Sequence, residues 1–422
     1  MSINIYYFYS KCRLMDLEIL KQELLTRWKQ AFNELSLLPE FKEKILTEKY
    51  VPGFRYDLKD YGTQAFMLPE GRIFPEARAR EINDYHFYGF GEDGNPVYTA
   101  FRHVVSNINW EGYYSYSENL VEYIEYCITE HAQIPSCIKR ILYKDGKKVG
   151  WQSLLLNTRG SANHFEGNNA EEIIADMLGD QYSLFISVEK YHWENDRILT
   201  ADGLGMAPGH GEYHYSQHYS YRPDGQLDEI RAVCETGTER LTWVRPDDEV
   251  NIQALEEEVA EKLAEAIIDT LIASKIETPL SLLEINYHAI AEYIPSLSPR
   301  SQAFTAEISR RHQDEDIFDL IFLSTEMDHP YMNLHTEKFE RPFQQFMQII
   351  EREEKWEIAA AMLRKVAWLL TTNKLYNRLP VSDDFAAYAI DWESDMEEFE
   401  RILGECGVVP DVISSWQEKG WL

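Results

Sequence analysis

Residues 210–218, His210-Gly211-Glu212-Tyr213-His214-Tyr215-Ser216-Gln217-His218, form the one stretch of this chain whose side-chain types and spacing converge on a chemistry. On an extended strand, alternate side chains share a face. His210, Glu212, His214, Ser216 and His218 would therefore line one surface, and Tyr213, Tyr215 and Tyr219 the other. Neutral imidazoles beside a carboxylate suit zinc, nickel or ferrous iron. Residues two apart on a strand lie roughly 6.5–7 Å apart and those four apart about 13 Å, so three on one straight strand do not easily close on a single ion. A transition-metal site here needs two of these histidines and a neighbour such as His192 or Glu194. The competing expectation is a solvated polar face.

No other motif keeps its chemistry in context. Gly89-Phe90-Gly91-Glu92-Asp93-Gly94 matches G-x-G-x-x-G by letter. A dinucleotide loop must lead into a helix whose N-terminus faces the pyrophosphate. Here Asn95-Pro96-Val97 leads into a strand pattern, and two carboxylates occupy the place of phosphate, so the segment reads as a hairpin turn. The chain contains no G-x-S-x-G, Walker loop, H-E-x-x-H or complete calcium loop. Trp110-Glu111-Gly112-Tyr113-Tyr114-Ser115-Tyr116 is dense in aromatics, which reads as core packing before a recognition surface.

The elements that must position these residues follow from periodicity. Between about Tyr85 and Arg245 the apolar pattern has period two, with four strand–turn–strand units turning at Glu92-Asp93-Gly94-Asn95, Asp145-Gly146, Glu194-Asn195-Asp196 and Pro223-Asp224-Gly225. A further strand, Arg240–Val244, follows. The histidine stretch begins the strand Tyr213–Tyr221, and Asp202 to Gly209 reads as a Gly-rich loop before it. A helix with Leu120, Tyr123, Ile124, Cys127 and Ile128 on one face is expected to interrupt the sheet, and another to span Ala170 to Leu178. Ahead of the sheet, residues 16–35 carry Leu17, Leu20, Leu24, Trp28, Phe32 and Leu35 at helical spacing, followed by a shorter helix over Phe41 to Tyr50.

Arg245-Pro246-Asp247-Asp248 marks the expected domain boundary, giving an N-terminal α+β domain over 15–246 and a C-terminal α+β domain over 247–422. Residues 1–14 are expected as a disordered extension. The C-terminal domain opens on the clearest helix, Asn251 to Ala273, with Ile252, Leu255, Val259, Leu263, Ile267 and Leu271 on one face. A strand at Ile317–Leu323 follows, then helices at about Pro342–Glu351 and Glu354–Leu370, a segment Asp383–Asp391, a helix near Met396–Leu403 and a last short helix. The expected class is α+β: a hairpin-rich antiparallel sheet with flanking helices, then a helix-rich domain.

Charge narrows the partners. Forty-one Lys and Arg face 72 Asp and Glu, a net charge of −31, which repels nucleic-acid phosphates and anionic membranes and favours basic proteins. Between Asp247 and Asp269 nine acids oppose Lys262 alone, and from Asp391 to Leu422 nine oppose Arg401 and Lys419. The exposed acids of the long helix, Glu256, Glu257, Glu261 and Glu265, are the candidate docking residues; the plainer expectation is a solvated helix face. Five cysteines without a C-x-x-C pair argue against a disulfide framework or a thiolate zinc site. No apolar run approaches a membrane span, and Met1 to Leu14 lack the pattern of a signal peptide, so a cytoplasmic protein of bacterial type is expected.

Leu379-Pro380-Val381-Ser382-Asp383-Asp384-Phe385-Ala386-Ala387-Tyr388-Ala389-Ile390-Asp391, with the terminal Gly420-Trp421-Leu422, resembles the end of uncharacterised bacterial domains, some of them among immunity proteins of polymorphic toxin systems. The resemblance covers the last third of the chain and implies a protein that binds another protein, with no catalytic residues. Two further readings stand beside it: a metal-binding protein or enzyme using the His210–His218 strand, and a structural or regulatory subunit.

Overall fold

The computed structural model describes residues 2–51, 58, 86–103, 108–130, 132–156, 170–179, 184–207, 211–245, 250–288, 292–312, 317–322, 328, 329, 332, 334, 338–353, 355–391 and 399–422. The chain divides into two compact units between Trp243 and Val244. Both units combine helices with sheet, an α+β fold.

Unit 1 opens with α1 (Ser2–Ala31) and the short α2 (Leu38–Lys42). The backbone of residues 2–14, expected as an extension, is continuous with α1. Next come β1 (Thr47–Val51), β2 (His86–Phe90), β3 (Pro96–His103), β4 (Ile108–Tyr116), β5 (Leu120–Ile128), β6 (Gln133–Lys144) and β7 (Lys147–Leu156). After α3 (Ala170–Gly179) follow β8 (Leu184–Glu194), β9 (Arg197–Ala207), β10 (Gly211–Tyr221), β11 (Leu227–Cys234) and β12 (Glu239–Val244). The twelve strands lie side by side in chain order as one up-and-down meander. Its turns are set by residues that tolerate positive φ. Asp145-Gly146 (52° and 73°) closes β6 on β7, and Asn195-Asp196 (47° and 65°) closes β8 on β9, each with both central residues in the left-handed region that two-residue hairpins need. The Gly89–Gly94 segment is a hairpin turn into β3.

Two readings of this region change. Leu120–Ile128 is the strand β5, not a helix. It lies in mid-sheet with neighbours on either side, and both its faces are buried, so apolar residues no longer alternate and their spacing imitates a helical stripe. The segment Phe41 to Tyr50 splits instead into the end of α2 and strand β1, and the Gly-rich segment from Asp202 is the second half of β9.

On one face of the sheet α1 buries Leu17, Leu24, Trp28 and Ala31 against Ile124, Ile138, Leu154, Ile186, Val188 and Leu204, and the Trp28 indole N–H donates to the Pro135 carbonyl at 2.9 Å. The other face carries a smaller cluster of Val51, Tyr88, Phe90, Tyr114, Tyr123 and Cys137. The glycines of β9 belong to this second face. Tyr215 pairs across Gly203, and its ring lies over that glycine to donate to Glu189 Oε1 on β8 at 2.8 Å. A Cβ on Gly203 would sit 2.3 Å from the Tyr215 ring. Gly203→Ala is therefore expected to lower stability by about 1–3 kcal/mol in urea unfolding. Ala in place of Gly in a strand would otherwise be neutral or favourable.

Unit 2 contains α4 (Ile252–Ala273), β13 (Leu280–His288), β14 (Glu292–Ser301), α5 (Gln302–Arg311), α6 (Phe318–Phe322), α7 (Glu340–Glu353), α8 (Trp356–Thr372), β15 (Val381–Asp391), α9 (Phe399–Glu405) and α10 (Pro410–Glu418). The Asn251 side chain caps α4 by accepting from the amides of Gln253 and Ala254. Leu255, Val259, Leu263, Ile267 and Leu271 are buried in the core of this unit together with Leu282, Ile285, Leu363, Val366 and Leu370. The sheet order is β14-β13-β15, with β13 antiparallel to β14 and parallel to β15. Ile317–Leu323, expected as a strand, contains helix α6; an apolar run this short has no period of its own, and its Phe318 and Phe322 pack one helical turn apart. Among the described residues, no helix is long and apolar enough to cross a membrane.

Candidate functional site

Strand β10 places its side chains as alternation requires. Tyr213 and Tyr215 extend over the glycines of β9, and Glu212, His214, Ser216 and His218 share the opposite face, the one on which α1 lies. His210 lies outside the described residues. Register carries His192 of β8 onto that face, in one row with Thr200 of β9 and His218 of β10. His192, His218 and Glu212 each have a partner of their own. His192 Nε2 lies 2.7 Å from Asp202 Oδ2, His218 Nε2 lies 3.1 Å from Ser216 Oγ, and Glu212 accepts from Lys21 of α1 at 2.5 Å. His214 Nδ1 is buried with no hydrogen-bond partner among the described residues. Among those residues no three His, Cys, Asp or Glu side chains come together as ligands for one ion. What the strand presents is a polar face, exposed at Glu212 and His218 and half-buried at His214 and Ser216. Trp110, Tyr113 and Tyr114 of the aromatic stretch are buried in β4.

The acids of α4 are arranged differently. Its apolar stripe is buried, so the charged residues fall on the outer side: Glu257, Glu258, Glu261 and Glu265 are exposed and Glu256 is half-buried. Glu257 lies 3.6 Å from Lys365 of α8, and Glu258 accepts from Lys262 at 2.6 Å. Asp269, one turn beyond Glu265, binds both Lys338 and Arg378, the latter at 2.7 Å. Glu261 and Glu265 have no ion-pair partner among the described residues.

Glu257 thus pairs with α8, and Asp269 with Arg378, which lies beyond the end of α8. Glu261 and Glu265 lie between these pairs along α4, and their charges reach Tyr376, whereas Trp368 and Thr372 lie beside Gly407, just after α9. Trp368 is 46% exposed and Tyr376 43%. Partial burial, with the charges of Glu261 and Glu265 second, raises the Tyr376 phenol above its ordinary pKa. Tyr376 belongs to a turn in which Lys374, Leu375, Tyr376 and Asn377 all have φ between 46° and 56°. Left-handed backbone costs ordinary residues roughly 1–2 kcal/mol each. The fully buried Leu375 anchors this turn while Tyr376 stays in solvent. Sequence reasoning found these acids and missed both exposed aromatics, because Trp368 falls within a helical pattern and nothing in Lys374-Leu375-Tyr376-Asn377 marks a left-handed turn.

The fold and surface thus define an acidic α+β protein of two units. Neither a family model nor a curated protein matches the chain.

Proposed function

We propose that the chain is a non-catalytic interaction protein that docks a basic partner protein on the outer face of α4. The observation that carries this reading is the pair of exposed carboxylates Glu261 and Glu265 near the exposed Tyr376, in a chain of net charge −31. Complementary charge steers a basic partner and speeds its encounter. Trp and Tyr are among the side chains most often responsible for interface affinity. The C-terminal resemblance gives the reading a particular form, an immunity-type protein of the bacterial cytoplasm that neutralises a basic toxin.

The test is recovery of a partner from a lysate of the source organism. The wild-type chain is expected to retain a basic protein that a Glu256→Lys, Glu257→Lys, Glu261→Lys, Glu265→Lys variant, folded by circular dichroism, does not. Equal recovery by both would leave α4 a merely solvated face.

A further inference from the structure

We infer that the pocket between α1 and Arg140 of β6 binds an apolar α-amino acid, with Arg140 taking the carboxylate, Glu23 the ammonium, and Met15 and Ile19 the side chain. This site lies in unit 1 and is independent of docking on α4.

Arg27 and Arg140 share one buried carboxylate, Glu122, and share it unequally. Arg27 binds both oxygens of Glu122, at 2.9 and 2.8 Å, and both of Glu34, at 3.0 and 2.6 Å, so its fork is engaged on both sides. Arg140 is left with less. Its Nε lies 2.9 Å from Glu122 Oε1 but is misaligned for a hydrogen bond. Among the described residues only its Nη1 makes one, to Gln152 Oε1 at 2.6 Å. Burial outweighs the attraction of Glu122 and holds the Arg140 guanidinium below its ordinary pKa. A buried cation so incompletely paired is stabilised by a further carboxylate. Gln152, fully buried and donating to the Leu20 carbonyl at 2.8 Å, fixes Arg140 in place, so little ordering remains to be done on binding.

Arg140 lines a pocket of about 550 Å³ along α1, a volume that suits a small organic ligand. Met15, Ile19 and Glu23, all in its wall, follow at four-residue spacing on one side of the helix. Met15, 66% exposed, and Ile19, 49%, give the pocket an apolar end. Of the two acids in the wall, Glu18 is bound to Lys21. Glu23 makes no ion pair among the described residues, and its charge reaches Arg140. A carboxylate and an ammonium borne by one carbon answer Arg140 and Glu23 together. A phosphate or a simple carboxylate would meet the repulsion of Glu23 and of a chain of net charge −31, whereas a zwitterion has no net charge to repel.

The experiment titrates the full chain calorimetrically with L-leucine, and with leucinamide, isocaproate and glycine, which lack in turn the carboxylate, the ammonium and the apolar side chain. L-leucine is expected to bind saturably below about 10 mM. Each analogue is expected to bind about tenfold or more weakly, the scale of one lost hydrogen bond to a charged group or of a lost apolar side chain. Arg140→Met and Glu23→Gln are each expected to weaken L-leucine by about tenfold as well. Glu23 is exposed on α1, so its variant keeps the fold even where loss of Arg140 disturbs the sheet. Absence of saturable L-leucine binding, equal affinity for the analogues, or unchanged affinity in Glu23→Gln would overturn the site.

Discussion

Arg300→Met is expected to lower the unfolding free energy by about 3–5 kcal/mol, the usual cost of leaving one partner of a buried ion pair alone. Arg300 of β14 is fully buried, and its guanidinium donates to Glu284 Oε2 of β13 at 3.0 Å and to the Tyr388 hydroxyl of β15 at 3.0 Å. Tyr388 in turn donates to the Phe322 carbonyl of α6 at 2.8 Å. One cation thus ties all three strands of the unit 2 sheet to a helix. Burial works against its charge, but Tyr388 and Glu284 more than offset this and raise its pKa further. Urea unfolding of Arg300→Met, Glu284→Leu and the double variant separates the effects. The double variant is expected to recover much of the loss, because no buried charge is left unpaired. A single variant as stable as the wild type would show that the pair is not buried as described.

Acid is expected to destabilise the protein through His86. This histidine is buried on β2, stacked at 4.4 Å on Phe101, and burial, with the Lys139 charge second, pushes its pKa down to about 3. Below pH 6.5 the unfolded chain takes up a proton that folded His86 refuses. Stability contributed by the neutral ring is therefore present above pH 6.5 and is lost as pH falls toward 3. The loss is about 2 kcal/mol by pH 5 and about 4 kcal/mol by pH 3. Glu125 acts with the opposite sign: burial raises its pKa, so the folded state gains relative stability as that carboxyl is protonated. His86→Phe, which keeps the stack, isolates the histidine. Its unfolding free energy is expected to fall less steeply between pH 7 and pH 5 than that of the wild type, and parallel profiles would contradict the assignment.

Most hairpins of unit 1 were legible because their turns require particular residues. Asp145-Gly146 and Asn195-Asp196 adopt the positive φ that their sequence advertises. The same local logic placed Glu212, His214 and His218 of β10 on one face. It could not show that α1 lies on that face, or that Lys21 binds Glu212, since that contact spans 191 residues. Strand β5 was misread because burial on both sides erases period two. Gly203 and Gly205 were read as loop, although their role is to admit Tyr215 and Tyr213, and those tyrosines two positions apart were the available signal. In unit 2 the capped, amphipathic α4 was plain from periodicity. Strands β13 and β14 were not, and with them went Arg300, which bonds to side chains of two other strands.

The association rate between this chain and the basic protein it retains, measured by stopped flow at low and physiological ionic strength, tests docking on α4 most directly. Exposed charges are screened beyond roughly 8 Å at physiological salt. The wild-type rate is therefore expected to fall about tenfold or more between the two conditions. The Glu256→Lys, Glu257→Lys, Glu261→Lys, Glu265→Lys variant is expected to associate slowly in both, with most of the salt dependence gone. Equal rates for wild type and variant, unchanged by salt, would contradict it.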